Sequence, residues 1–323
     1  MIGIIGAGRV GTTVARRLLA RGDTEVVIYD ANPVVARRLV DSLGGRRRGI
    51  KVGDQDEIRR CNVVVIACPA PHLRAVEKLV MRGCHVVSTS DDADDVRDLL
   101  ELDTSTAVIA GAAASPGLTG LVSRNLAAKF DELDEIHVAS HGTGGPSCAQ
   151  QHHRALAGTS IGLHDGTWLK RPSGSGRELC WFPDPVGGHD CYRSDSPDPM
   201  VLSRAFPSVV RITARVSAKR RDRLTSRLPM LTPPHPEGGL GAVRVEMRGW
   251  RGDQRHVEVI GVAERLARLA GLVASASAAA IERGQIAGGV HVLGAEHLPN
   301  DVILGDVTTE GVRLQEFIGT SSL

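Results

Sequence analysis

Ile2-Gly3-Ile4-Ile5-Gly6-Ala7-Gly8-Arg9-Val10-Gly11 opens the chain as a short apolar strand running into three glycines spaced G-x-G-x-x-G. A helix is predicted from Thr12 to Arg21, closed by Gly22. A second strand, Glu25 to Tyr29, ends on Asp30, nineteen residues past Gly11. Every part has a physical role. Gly6 permits a tight turn, Gly8 removes a side chain that would block a pyrophosphate, and Gly11 lets the helix pack closely on the strand. The helix amides then face the phosphates. The register of strand, turn, helix, strand and terminal acid predicts a dinucleotide held by Gly6, Gly8, Arg9, Val10 and Gly11, with Asp30 and Ala31 at the adenosine ribose. A carboxylate there accepts hydrogen bonds from the ribose and repels a 2′-phosphate, so NAD is the expected cofactor. NADP stays open through Arg37 and Arg38.

The 323 residues exceed one ordinary core, so two domains are expected. Hydrophobic content of 42% with 24% charged residues is that of a globular protein rather than a disordered or fibrous one. No apolar run reaches the ~20 residues that span a bilayer, and the first strand begins at Met1, so a cytoplasmic location is expected, without a membrane partner. Positive charge is carried mainly by arginine. Its one dense cluster, Lys219-Arg220-Arg221-Asp222-Arg223, reads as a solvated face or a site attracting an anionic substrate. No aromatic interleaves it, which argues against nucleic acid. The six cysteines show no CxxC pair and read as reduced thiols. Cys148, His152, His189 and Cys191 match no finger or ribbon spacing, so no metal is expected.

Beyond Asp30, Asn32 and Pro33 look like the cap and first position of a helix reaching Leu43. A weak strand near Lys51 is followed by the apolar run Val63 to Ala67, as expected of a parallel strand buried on both faces. Helix 72–82, strand 85–89, helix 93–102 and strand 106–110 continue the alternation. This is α/β: a doubly wound Rossmann sheet. Pro116-Gly117 opens a helix to about Lys129, and a strand is expected over 135–139. From His141 to residue 240 the chain is rich in Gly, Pro and Ser, with a helix expected from Ser147 to about Ile161. Trp168, Trp181, Phe182 and Tyr192 gather there, in a chain with only three Trp, two Tyr and four Phe. They predict a second, mixed α+β substrate domain with an aromatic pocket wall. A hairpin (242–247 and 256–260), an alanine-rich helix (262–283), then a helix and strand (299–310 and 312–317) complete the pattern. The expected division is 1–130, completed by 262–323, around a substrate and dimerisation domain at 131–261, with a homodimer as the assembly.

Together these residues resemble the saccharopine dehydrogenase-like oxidoreductases, which include saccharopine reductases and lysine 6-dehydrogenases. The resemblance rests on the glycine turn, Ala67-Cys68-Pro69, Gly111-Ala112-Ala113-Ala114-Ser115-Pro116-Gly117-Leu118, and the late segments Gly284-Gln285-Ile286 through Gly289-Val290 and Glu310-Gly311-Val312. It is weakest between 141 and 240, where substrate identity would be written. Sugar dehydrogenases of the same nucleotide fold carry Glu-Lys-Pro where this chain has Ser88-Thr89-Ser90. Homoserine dehydrogenases rely on lysines in the substrate domain, where this chain has only Lys170 and Lys219.

Ligands of open α/β sheets bind at the carboxyl ends of the strands. The nicotinamide is therefore expected over Cys68, Pro69 and Thr89. Hydride transfer at a carbon bonded to nitrogen also needs a proton relay that titrates near neutrality. His141 and His153, with Tyr192, are the candidate catalytic residues; His152 and Asp190 are further possibilities. Cys68 reads either as packing or as a nucleophile. The function implied is an NAD(P)-dependent oxidoreductase acting on an amino acid, amine or imine. Two alternatives stay open: a non-redox enzyme with prosthetic NAD, and a non-catalytic dinucleotide-binding protein.

Overall fold

The computed structural model describes residues 1–22, 24–230, 233–236 and 238–317. Its first half alternates as the periodicity predicts: β1 (Ile2–Ile5), α1 (Arg9–Arg21), β2 (Val26–Tyr29), α2 (Pro33–Ser42), β3 (Ile50–Val52), α3 (Gln55–Ile58), β4 (Val63–Ile66), α4 (Leu73–Val80), β5 (His85–Ser88), α5 (Ala93–Leu100), β6 (Ala107–Ile109) and α6 (Leu118–Ala127). Local chemistry sets the ends. Asn32 caps α2, its side chain accepting from the Val34 amide at 3.1 Å, and Asp92 caps α5 by accepting from the amides of Asp94 and Asp95. Val63 to Ile66 are all buried, each side chain contributing roughly 1.5–3 kcal/mol.

The second half begins with β7 (Glu132–His141), α7 (Pro146–Ala155), β8 (Thr159–His164), β9 (Thr167–Pro172), β10 (Glu178–Phe182), β11 (Gly187–Arg193), α8 (Asp198–Ala205), β12 (Arg211–Ser217) and α9 (Arg220–Thr225). It ends with β13 (Gly241–Arg251), β14 (Gln254–Glu264), α10 (Leu266–Glu282), β15 (Gly289–His291), α11 (Asn300–Thr308) and β16 (Gln315–Glu316). The expected helix from Ser147 to Ile161 stops at Ala155. Gly158 interrupts it, and the β-branched Thr159 and Ile161 go into β8 instead.

Two sheets result. The first is wholly parallel, in the order β15-β6-β5-β4-β1-β2-β3, so the direction of winding reverses around β1 and β4. The second is mixed, β10-β11-β12-β7-β13-β14-β16, with β12 parallel to β7 and β8-β9 branching from β12. After the excursion the chain returns to the first sheet through β15, beside β6. The last strand differs from expectation: it spans only Gln315–Glu316 and pairs with β14 of the second sheet. Residues 318–323 of the expected carboxy-terminal return lie outside the described residues. Helix α10, alanine-rich and buried along most of its length, lies close on α1. A side chain at Gly271 would come within 2.4 Å of Thr13 Cβ, so the small residue is what allows that approach.

Candidate active site

At the carboxyl ends of β1 and β4 a cleft of about 630 Å³ runs from the glycine turn toward α7. The three glycines differ as their roles require. Gly6 has φ +104, and a Cβ there would lie 2.6 Å from the Ala67 carbonyl oxygen; a Cβ on Gly11 would lie 1.9 Å from that of Gly6. Gly8, the residue capping α1, meets nothing within 4 Å: its missing side chain leaves open cleft where a pyrophosphate would lie against the α1 amides. Asp30 Oδ2 accepts from the Ala7 amide at 2.7 Å and Oδ1 from Asn32 at 2.8 Å, which fixes the end of β2 beside the turn. The residues present thus fit a dinucleotide. Gly6, Gly8, Arg9, Val10, Asp30, Cys68, Pro69 and Thr89 all line the cleft. Gly11 is buried beneath the turn, and Ala31 is exposed outside the lining; Arg37 and Arg38 also face solvent.

Cys68 belongs to packing. Burial raises its thiol above the usual range, and its carbonyl is held by His72, whose Nε2 donates at 2.8 Å while Nδ1 accepts from Ser88 Oγ at 2.8 Å. His72 is itself buried and its pKa pushed down by burial, so it serves the corner between β4 and α4 as a neutral ring.

The opposite end of the cleft holds a group that sequence reasoning missed. Thr89 Oγ1 donates to the Ile66 carbonyl, pinning the loop after β5, and Asp92 turns away to cap α5. Asp91, between them, faces the cleft and shares a hydrogen bond with the Cys148 thiol of α7. Burial, then the neighbouring Asp92 and Asp198, push its carboxyl up to about 6. The thiol is pushed up to about 12 by burial and by Asp91, so it is a hydrogen-bond donor rather than a nucleophile. A second tie, Gln151 Nε2 to Asp92 Oδ2 at 2.8 Å, holds α7 to the same loop. Asp195 lines this end too, its pKa raised by burial and then by Asp94 and Asp92. Behind it the fully buried Asp198 accepts from Ser115 (2.7 Å), Thr119 (2.7 Å) and Ser196 (2.8 Å), locking the Ser115-Pro116-Gly117 step to α8. The signal for Asp91 was a pair of aspartates at a strand end, of which only one is needed as a helix cap.

The expected catalytic residues lie elsewhere. Side chains alternate along a strand, so Ser140 of β7 and its register partner Val216 of β12 face the cleft, whereas His141 and Ser217 face the other way. His141, His153 and Tyr192 line a separate chamber of about 1070 Å³. His141 does not have the near-neutral pKa expected of a relay: burial, with His189, His152 and Lys219 nearby, pushes it down to about 4. It hydrogen-bonds Ser217 Oγ at 2.8 Å and stacks on His189 with ring centroids 4.0 Å apart. His153 is buried and donates to the Leu228 carbonyl at 2.9 Å; Tyr192 is buried beneath the Arg223 guanidinium, 3.9 Å from its ring centre. Asp190 is paired with Arg177 at 2.9 Å. His152 reaches both cavities. The aromatic wall expected of the second half is not part of the cleft: Trp168 and Trp181 are exposed and Phe182 sits in a small core with Cys180 and Cys191. No group of three metal-ligating side chains occurs among the described residues.

Residues 1–92, from β1 to the Asp91-Asp92 step, match the family described as NADP oxidoreductase, coenzyme F420-dependent. This stretch is similar to the nucleotide-binding part of NAD(P)-dependent oxidoreductases. Myo-inositol dehydrogenase Hyg17 of Streptomyces leeuwenhoekii is 25% identical over 189 residues, 55% of this chain and 56% of that protein, so the chain matches little more than half the length of that relative. Apo saccharopine dehydrogenase (L-Glu forming) from Saccharomyces cerevisiae superimposes with a TM-score of 0.71 over 98% of this chain and 99% of that one, at 13% identity. DAP dehydrogenase of C. glutamicum in complex with DAP gives 0.52 over 95% and 98%, at 14% identity. At these identities the likeness is one of fold: a parallel Rossmann sheet followed by a mixed second sheet. No helix among the described residues is long and apolar enough to cross a membrane.

Proposed function

We propose that the protein oxidises an amine, or reduces an imine, at a carbon–nitrogen bond of a small molecule, with NAD as the preferred hydride carrier and residues 131–261 as the substrate half. The observation that carries this reading is the charge at the two ends of one cleft. Arg9 and the α1 amides gather at the phosphate end, and Asp91, Asp195 and the buried Asp198 gather at the other. Such an end attracts an ammonium or iminium group and disfavours an oxyanion. A bound nicotinamide supplies or accepts the hydride. In the oxidative direction the amine must lose a proton before its lone pair can form the C=N bond, and an ionised Asp91 is the base placed to take it. In reduction the protonated carboxyl returns it. The Cys148 thiol and the Thr89 bond orient that carboxyl. Support for the amine class also comes from the strand end itself, which reads Ser88-Thr89-Ser90 rather than the Glu-Lys-Pro of the sugar dehydrogenases the nucleotide fold resembles.

The test is a panel of amino acids, amines and cyclic imines with NAD and NADP, followed by nicotinamide absorbance. The expected outcome is amine-dependent reduction of NAD, or imine-dependent oxidation of NADH. Product without accumulated absorbance change would point to a prosthetic NAD. Binding of NAD with no product from any member of the panel would point to a non-catalytic binder.

A further inference from the structure

Helix α7 is a partition. Cys148, Gln151 and Ala155 face the dinucleotide cleft, while Ala149, His153 and Leu156, displaced by one position around the helix, face the larger chamber. The chamber has the opposite electrical character. Among the described residues, its walls carry Arg177, Arg221, Arg223, Lys219 and Arg220 and two carboxylates, Asp190 and Asp222. Those two are already engaged, Asp190 with Arg177 at 2.9 Å and Asp222 with Arg221 at 3.8 Å. Arg223 is committed to the Gly174 carbonyl (2.8 Å) and the face of Tyr192, where it shapes the wall. Among the described residues, Lys219 and Arg220 have no carboxylate partner and the His189 ring, stacked on His141, has no hydrogen bond. They reach the chamber from two elements: Lys219 and Arg220 from the start of α9, His189 from β11. A further sign of the field is that His189, His152 and Lys219 all act to lower the pKa of His141 at the chamber wall.

We propose that this chamber is a second ligand site, separate from the dinucleotide cleft, for a small oxyanion bearing two or more negative charges, held by Lys219, Arg220 and His189. Cations gathered along a concave wall attract such an anion more strongly than the same charges spread over an open face. The chemistry is shared by polycarboxylates and phosphate compounds, and titration with each separates the two sources.

The experiment is calorimetric titration of the full-length protein, saturated with NAD, with citrate and separately with pyrophosphate at low salt. Saturation matters because pyrophosphate has a second seat at the glycine turn. At least one anion is expected to bind one to one, with a dissociation constant below about 100 µM. The exposed pair Lys219→Ala/Arg220→Ala should weaken it by at least about tenfold while leaving NAD affinity within about twofold. His189→Ala should weaken it by a smaller factor. Binding of citrate alone assigns a carboxylate ligand, and of pyrophosphate alone a phosphate ligand. The proposal is overturned if neither anion binds, if the double variant binds as tightly as wild type, or if the anion and NAD compete. Because amine turnover is read independently, loss of this site leaves the proposed reaction standing, and a chain that failed to turn over amines would still report on the chamber.

Discussion

The cleft and the chamber lie on either side of α7, yet one ends in carboxylates and the other is walled by cations. The difference is set by single-residue steps. On β7, Ser140 belongs to the cleft and His141 to the chamber; on β12, Val216 and Ser217 divide the same way. Proximity in sequence to the second sheet is therefore no guide to proximity to a cofactor. Parity along the strand is.

The contrast between the two cavities is tested hardest at the glycine turn. Gly8→Val should reduce dinucleotide affinity by roughly 100-fold or more, with an unfolding transition close to wild type, because the new side chain enters open cleft. Gly11→Val, three residues on, should instead fail to fold, since even its Cβ collides with the Gly6 carbonyl. Thermal melts with and without NAD separate the two. A Gly8→Val protein that binds NAD normally would make the turn purely structural.

Next in size is Asp91→Asn, which keeps the shape and removes the base. Turnover should fall by about 10² to 10⁴-fold with little change in NAD affinity. The same variant carries a stability signature. A carboxyl raised from 3.8 to about 6 in the folded state contributes its full stability at low pH and loses it as pH rises through that interval. Asp91→Asn should therefore be more stable than wild type at pH 7, by on the order of 1–3 kcal/mol, and no more stable at pH 3.5. Chemical denaturation at both pH values reads this directly.

A smaller effect is expected at Asp30. Asp30→Ala should erode the preference for NAD over NADP by about tenfold, one ribose hydrogen-bond pair and one repulsion being removed. Loss of the Ala7 amide bond should slightly weaken both cofactors. The smallest effect belongs to His141→Ala, where amine turnover should change by less than about threefold. A loss of activity there comparable to that of Asp91→Asn would return the proton to the chamber and erase the division of labour between the two cavities.

Much of the first sheet was legible because its signals are local. Apolar runs buried on both faces, an Asn-Pro helix start and glycines at fixed spacing each specify a conformation without reference to distant residues. Of the cofactor residues read from the sequence, all but Gly11 and Ala31 line the cleft. The second sheet was less legible. Strand β12, whose Ile212, Ala214 and Val216 alternate with Arg and Thr, is obscured in a stretch dominated by Gly, Pro and charge, and without it the facing of His141 had no reference. Asp91 was hidden for another reason. Its meaning comes from Cys148, 57 positions away by the numbering, and only tertiary packing brings them together. Asp198 is hidden in the same way: Ser196 is its neighbour, but Ser115 and Thr119 reach it from a distant segment.

The central claim is that the proton accompanying hydride transfer passes through Asp91, and the pH dependence of kcat/KM for amine oxidation tests it most directly. Wild type should gain activity as pH rises through about 6, the carboxyl becoming able to accept a proton, with a separate limb at higher pH from the substrate's own ammonium group. In Asp91→Asn the limb near 6 should vanish while the upper limb stays. A limb near 6 that persists in Asp91→Asn would contradict the account and place the proton on another group.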